Sequence, residues 1–440
     1  MKSVHLIAIG GAIMHNLAIA LKRRGYNVTG SDDAIYDPAR GNLEAENLLP
    51  TEGWDDSAIH ESLDVVILGM HARADNPELL KAQKLGLKIM SFPEFVAAES
   101  AQKTRVVVAG SHGKTTTTAM IMHVLSELGV AFDYLVGSSI EGFDLSVKLT
   151  DAPLIIIEGD EYLSSPMDLR SKFLWYQPHY SIITGVAYDH INVFPTFDLY
   201  IDTFRKYIET HTKGGEYFWF KKDEILADLA QNTAIKNTAY DTPDFVSSKE
   251  GSVVTLNHKQ HPLYVVGKHN LENMVAAQSV CQKLGISAEQ FYNAASTFTG
   301  AGRRMEKIVE NEKQVVYRDF AHSPSKLKAT TEAISETYDG ELLAVFELHT
   351  FSSLNAEFLP LYKDAMSSAD KAIVFYNDAV FEHKKMEPIE APFVQNCFGN
   401  VEVIHSPNRL ADVVNQGFKN GNNILLMSSG KFENAPFSFD

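Results

Sequence analysis

The sequence predicts an α/β protein of three domains, each built on a mainly parallel sheet. Three observations predict it. Short apolar strands alternate with helical patterns from residue 4 to residue 427. A strand, a glycine loop and a helix follow one another at 105–129, inside that alternation. The length, 440 residues, is close to three times the ~150 residues of an average domain.

The first domain opens with a strand at Val4–Ile9, a turn at Gly10-Gly11, a helix over 13–23 and a strand at Tyr26–Thr29. Ser31 and Asp32 stand at that strand's carboxyl end, where ligands bind in such sheets. The dinucleotide fingerprint Gly-x-Gly-x-x-Gly is absent, so a mononucleotide or nucleotide-sugar site competes with an NAD site. Asp64–Leu68 is a further strand ending in Gly69-Met70-His71, and Asn76-Pro77 caps the next helix. His71 therefore also stands at a strand end. A connector at Glu99–Thr104 leads into the second domain.

That domain begins with Arg105-Val-Val-Val-Ala-Gly110-Ser-His-Gly113-Lys-Thr-Thr-Thr-Thr118. The valines form a buried strand. Gly110 and Gly113 let the backbone approach a ligand, and Lys114 and Thr115 open a helix that runs to a Gly129 cap. Loop N–H groups, the helix N-terminus, the Lys114 ammonium and a threonine hydroxyl for Mg²⁺ together describe a triphosphate cradle. The spacing is Gly110-x-x-Gly113-Lys114-Thr115, two residues shorter than the usual loop. Leu154–Ile157 is an apolar strand that delivers Glu158-Gly159-Asp160-Glu161 at its tip, and Ile182–Val186 one that delivers Tyr188-Asp189-His190. Carboxylates and a histidine at strand tips beside such a loop suit one or two divalent ions. A helix from Gly267 to Leu284 then places His269 and Asn273 on one face.

Gly300 and Gly302 mark the boundary to the third domain, followed by Arg303-Arg304-Met305-Glu306. An arginine beside a hinge can reach a polyphosphate. Strands are expected at Val315–Tyr317, Leu342–Leu348, Ala372–Tyr376, Val401–Ile404 and Ile424–Met427, with Asp319 and His322 at the first strand's end and a helix from Pro324. The expected division is 1–102, 103–299 and 300–440, with Rossmann-like outer domains around a P-loop ATPase domain.

Composition narrows the function. Apolar residues are 45% and charged ones 22%, ordinary for a globular protein. A net charge of −17 argues against a general nucleic-acid or anionic-membrane binder, so anionic substrates must be met by local cations and metal. Cys281 and Cys397 show no metal spacing and read as buried thiols of a reducing cytosol. No run approaches the ~18 apolar residues of a membrane span. The apolar N-terminus breaks at Gly10-Gly11 and reads as strand and helix rather than a leader.

Taken in order, Gly110-Ser-His-Gly-Lys-Thr-Thr-Thr117, Glu158-Gly-Asp-Glu161, Asp189-His190, Gly267-Lys-His-Asn-x-x-Asn273, Gly302-Arg-Arg-Met-Glu306 and Asp319-Phe-Ala-His322 resemble the Mur ligase family, the ATP-dependent amide ligases of bacterial cell-wall synthesis. The resemblance spans essentially the whole chain. Ile9-Gly-Gly-Ala and Gly30-Ser31-Asp32 are similar to the branch that begins with UDP-N-acetylmuramate. Asp160-Glu-Tyr162, Asp168-Leu-Arg-Ser-Lys-Phe173 and Tyr176-Gln-Pro178 are similar to members that attach L-alanyl-γ-D-glutamyl-meso-diaminopimelate, a murein tripeptide. A relative in that branch adds only L-alanine.

The resemblance implies a site for ATP and Mg²⁺ in a cytoplasmic bacterial enzyme acting on small molecules, with neither nucleic acid nor membrane as partner. Gly110, Ser111, His112, Gly113, Lys114, Thr115 and Thr116 would hold the phosphates. His269, Asn270 and Asn273 would meet the adenine end, and Arg304 and Asp319 would complete the ATP site. Thr115, Glu158 and His190 would bind metal. Lys114, Glu158, His190, Arg304 and His322 would serve catalysis. Gly10, Gly11, Ala12, Ser31, Asp32 and His71 would hold the UDP sugar. Two positions depart from the pattern. Arg205 stands where some members carry a carbamylated lysine, so no carbamylation is expected. His349-Thr-Phe-Ser-Ser-Leu354 lacks the arginines of the alanine-adding branch. Two further readings are another amide ligase of the family, acting on folate or a different peptide, and a nucleotide-regulated binding protein without ligation.

Overall fold

The computed structural model describes residues 2–256, 258–302 and 304–439. Arg303 of the Gly302–Glu306 motif therefore lies outside the described residues. The chain groups into two compact units. One comprises Met1–Val186, Ile201–Tyr240 and Ala276–Ser287, the other Ala187–Tyr200, Asp241–Val275 and Ala288–Asp440. The architecture is α/β with parallel-rich sheets, as the sequence predicts.

The first unit holds two sheets. A four-stranded parallel sheet has the order Asn27–Ser31, Ser3–Ile7, Val65–Leu68, Ile89–Ser91. Its opening strand stops at Ile7 rather than Ile9, because Ala8 takes a left-handed φ of 67° and turns the chain. The next strand runs on to Ser31, so Ser31 belongs to the strand itself. Asn76 caps the helix Pro77–Lys84 by accepting from the N–H groups of Glu78 and Leu79, as the Asn-Pro pair predicts.

The second sheet of this unit has seven strands in the order Lys236–Tyr240, Glu216–Phe220, Tyr180–Ile183, Thr104–Ala109, Leu154–Glu158, Asp133–Leu135, Val147–Lys148. All pairs are parallel except the last. Thr104–Ala109 is the middle strand, with Val106, Val107 and Val108 fully buried. A strand covered on both faces needs this unbroken apolar run. The helix Lys114–Glu127 that follows is buried from Thr115 to Met122, so it shows no strong apolar stripe.

The second unit contains a three-stranded antiparallel sheet, Phe245–Ser248, Gly251–Leu256 and Lys259–Leu263, which no motif announced. It also contains a six-stranded sheet in the order Glu306–Glu310, Val315–Asp319, Asn423–Met427, Leu342–Glu347, Lys371–Phe375, Glu402–Ile404. Only the edge strand Glu306–Glu310 pairs antiparallel. Alternate residues feed two apolar layers. Val315, Tyr317, Ala344, Phe346 and Val374 join one, while Val316, Leu343, Val345 and Ile373 join the other. The expected hinge at 300–302 is a turn in which Arg304 N–H donates to Ala301 O at 2.8 Å, leading straight into the edge strand.

Candidate active site

The glycine loop follows the central strand of the seven-stranded sheet. Gly110 has φ 125° and Gly113, the residue before the helix, φ 72°. Both conformations are open to glycine and costly for other residues. Gly110 is also forced by space, since a Cβ there would sit 2.2 Å from Thr184 Oγ1. Lys114 Nζ donates to Gly110 O at 2.6 Å and pairs with Glu161 Oε2 at 2.7 Å. Burial pulls the ammonium's pKa down, but Glu161, Asp160 and Glu158 outweigh it and raise the pKa above its ordinary value. Lys114 is therefore a fixed, permanently charged cation at the loop.

Thr115 Oγ1 donates to Glu158 Oε1 at 2.9 Å, and Gly137 N–H donates to Glu158 Oε2 at 2.9 Å. Parallel pairing of the Thr104–Ala109 and Leu154–Glu158 strands puts Glu158 level with Val108, within reach of Thr115. A hydroxyl and a carboxylate are hard oxygen donors, the set that Mg²⁺ accepts beside phosphate oxygens. Among the described residues no group of three or more His, Cys, Asp or Glu gathers to form a larger metal cage. Mg²⁺ held largely by phosphate and water needs none.

Gly10, Ser31 and Asp32 come together at the carboxyl ends of two neighbouring strands of the four-stranded sheet, and His71 is exposed beyond the third. Gly10 N–H donates to Asp32 Oδ2 at 2.7 Å. Asp32 is 2% exposed, and burial raises its pKa. Its carboxylate thus clamps the Gly10-Gly11 turn. Ser31 Oγ donates to Glu78, whose other oxygen accepts Asp55 N–H at 2.7 Å, and His5 Nε2 lies 3.2 Å from the same carboxylate. Asp32 shapes the turn from within and Ser31 ties its strand end to Glu78, roles that strand-end position alone does not reveal.

The second unit gathers a separate polar cluster. Asp189 Oδ1 accepts from His190 N–H at 2.7 Å and from Ser352 Oγ at 3.1 Å. His322 Nε2 lies 3.9 Å from Asp189 Oδ2 and 3.5 Å from Lys326 Nζ. Burial would raise the Asp189 pKa, but His190, Lys326 and His322 hold it far below the carboxylate range. Burial and the Lys326 charge push His322 down to about 3, so its ring is neutral. Its Nδ1–H donates to Phe320 O at 2.8 Å, and Tyr362 OH donates to His322 O at 2.5 Å.

The neighbouring Asp319 accepts from Met305 N–H at 3.2 Å and Thr330 Oγ1 at 2.7 Å, and the Arg304 guanidinium lies 4.4 Å from the Phe320 ring centre. Burial lowers the His269 pKa against the opposing pull of Asp319. Asn270 spends its amide on Val266 O at 2.9 Å, and Asn273 is buried on the next turn. Lys326 and Ser352 were missed by the sequence reading. Lys326 is four residues beyond His322 on a helix start, a readable spacing, whereas Ser352 arrives from 163 residues away with no local signal.

A glycine loop with a fixed lysine, a hydroxyl–carboxylate pair beside it and a parallel α/β frame are the features of a nucleotide-handling α/β protein. Comparison narrows the class. Residues 3–104 match the Mur ligase family catalytic domain, 108–281 the Mur ligase middle domain and 303–430 the Mur ligase glutamate ligase domain. The UDP-N-acetylmuramate–L-alanyl-γ-D-glutamyl-meso-2,6-diaminoheptandioate ligase of Haemophilus influenzae is 28% identical, covering 98% of this chain and 97% of its own. The UDP-N-acetylmuramate–L-alanine ligase of Lactobacillus delbrueckii is 31% identical over 100% of this chain and 98% of its own. The crystal structure of a murein peptide ligase from Psychrobacter arcticus shares the fold at TM-score 0.69 and 23% identity, over 99% of this chain and 97% of that one. This chain belongs to the Mur ligase family, whose members are ATP-dependent ligases that form amide bonds. No helix among the described residues is long and apolar enough to cross a membrane.

Proposed function

We propose that this chain joins the lactyl carboxylate of UDP-N-acetylmuramate to the amine of L-alanyl-γ-D-glutamyl-meso-diaminopimelate, with ATP driving the step through an acyl phosphate. The observation that carries the ATP half is the loop at 110–115, where Lys114 and the Thr115–Glu158 pair converge. The carboxylate is a poor electrophile, and phosphorylation gives it a leaving group. The amine then forms the C–N bond, phosphate departs, and the amine's proton goes to solvent or a nearby base. Positioning and charge neutralisation dominate such chemistry.

In this reading residues 1–102 bind the UDP sugar, 103–299 ATP, and 300–440 contribute to the acceptor. Lys114 neutralises phosphate charge, with Gly110, His112, Gly113 and Thr116 shaping the cradle. Mg²⁺, when bound, supplies further neutralisation of the phosphates, and Thr115 and Glu158 are the residues to hold it. His190 is proposed for a second ion, Arg304 and His322 for the reacting groups, and His269, Asn270, Asn273 and Asp319 for nucleotide contacts. The reaction belongs to the cytoplasm, where its nucleotide substrates are found.

The acceptor is argued from the loop at 349–354. Ser352 touches Asp189, yet the loop brings no arginine for the single carboxylate of a small amino acid. A tripeptide offers more groups through which remote binding energy can position the amine. The L-alanine reading is favoured instead by the 31% identity to the Lactobacillus delbrueckii ligase. The test is ADP release at saturating ATP and UDP-N-acetylmuramate with each acceptor in turn. A higher kcat/KM for the tripeptide is expected. A preference for L-alanine moves the chain to the alanine-adding reaction. ADP binding without acceptor-dependent turnover points to a binding protein.

A further inference from the structure

Two residues with no assigned role, Thr184 and Gly185, form the wall behind the glycine loop. They follow the strand Tyr180–Ile183, which lies beside the central strand. Thr184 is 4% exposed. Its N–H donates to Ala109 O at 3.0 Å, carrying the pairing one residue past the end of Tyr180–Ile183. Its hydroxyl lies 3.2 Å from Ala109 O and makes its close hydrogen bond to the carbonyl of His112, inside the loop. Gly185 O accepts Ser111 N–H at 2.9 Å. The His112 ring packs on Gly185, where a Cβ would meet Cε1 at 2.3 Å.

These contacts sort the loop's backbone groups into two sets. In a trans peptide the C=O and the following N–H point in opposite directions. The only cis bond among the described residues is Asp37-Pro38. Once Thr184 holds the His112 carbonyl against the wall, the Gly113 N–H must point away from the wall. Ser111 N–H, bonded to Gly185 O, is turned toward it. Without the Thr184 hydroxyl, the His112–Gly113 peptide could flip and present a carbonyl where an anion is to bind. An oxygen facing a phosphate repels it, whereas an N–H attracts it.

We propose that Thr184 is a positioning residue for the triphosphate: its hydroxyl fixes the His112–Gly113 peptide so that Gly113 N–H serves as a phosphate donor. The space around it is equally specific. Thr184 Oγ1 occupies the place a side chain at residue 110 would need, so the hydroxyl and the glycine are matched. This inference rests on the reading of residues 110–115 as a nucleotide site.

The experiment compares Thr184→Val, which keeps the shape and loses the donor, with Thr184→Ser, which keeps the donor. ADP with Mg²⁺ is titrated calorimetrically into each full-length protein, and ATP kinetics and thermal midpoints are measured alongside. T184V is expected to weaken ADP about tenfold and to raise KM for ATP with a smaller change in kcat, the scale of one well-aligned hydrogen bond. T184S is expected to restore affinity to within about threefold. Thr184→Ala serves the same comparison should the valine variant fail to fold. Equal ADP affinity in wild type and T184V, or an equal loss in T184S, overturns the proposal. A wild-type protein that fails to bind ADP overturns the nucleotide-site reading itself, so the two failures are distinct.

Discussion

At the scale of single residues, Lys114 joins a buried ion pair to the role proposed for it in chemistry. Its ammonium is matched to Glu161, which is fully buried. Lys114→Ala is expected to lower turnover by roughly 10²-fold or more, because a cation is lost from a desolvated phosphate site. It should also lower the melting temperature, since breaking a buried ion pair costs about 3–5 kcal/mol. Lys114→Ala with Glu161→Gln should recover much of the melting temperature and none of the turnover. Near-normal ADP release in the single variant would remove Lys114 from the mechanism. Lys114 was legible because strand, glycine spacing and Lys-Thr lie within ten residues. The Glu161 pairing was not, since Glu158, Asp160 and Glu161 crowd one strand tip and sequence cannot say which faces the loop. Ser31 and Asp32 were legible as strand-end residues, but their inward bonds to Glu78 and Gly10 depend on a partner 47 residues away and a turn of fixed shape.

At the scale of elements, apolar runs located the central strands to within one to three residues, the expected Ile182–Val186 being observed at Tyr180–Ile183, and glycine and proline located helix ends. The antiparallel sheet over residues 245–263 escaped because its strands carry Ser, Thr, Lys, Gln and Pro, with Val246 exposed. Such strands lack the alternation that marks a half-buried sheet. The packing of helix on strand also carries a titratable group. His211 follows the helix Phe197–Glu209, and its Nδ1–H donates to Ile208 O at 2.7 Å. Its Nε2 lies 2.8 Å from Ser181 Oγ on the strand Tyr180–Ile183 and accepts that hydroxyl's proton. Burial pushes its pKa from 6.5 down to about 4. Between those values the unfolded chain binds a proton and the folded one does not. Stability is thus full above pH 6.5 and lost as pH falls toward 4. His211→Gln should flatten the drop in urea midpoint across this window. An unchanged slope would mean that other histidines whose pKa burial lowers, such as the buried His15 and the half-buried His179, account for it.

At the scale of the molecule, the second unit is assembled from chain segments far apart in sequence. Val266 lies in the larger apolar layer of the six-stranded sheet, and Tyr188 and Ile191 pack against it. A fragment of residues 300–440 would hold all six strands without these three side chains. Each buried aliphatic or aromatic side chain contributes about 1.5–3 kcal/mol, against a net stability of about 5–15 kcal/mol for a domain. The fragment is expected to melt at least ~10 °C below the full chain or to lose a cooperative transition. Circular dichroism melting of the two proteins checks this, and a coincident cooperative midpoint would show that the segment needs no help.

The place of Asn423–Met427 in that sheet has a consequence for synthesis. It is the last of that sheet's six strands to be made, yet it lies between Val315–Asp319 and Leu342–Glu347. Val315–Asp319 and Leu342–Glu347 each have an outer partner earlier, but the strand that joins them is made only after the other five. Tyr188 and Val266, made some 160 to 240 residues earlier, wait through that interval with their apolar surface uncovered. At about 5–20 residues per second the wait is on the order of ten seconds or more. The nascent chain therefore passes through a stage in which the first unit's sheets have all their strands and the second unit is still open. In that stage premature termination or a stalled ribosome leaves sticky, unpaired strands rather than a smaller working protein.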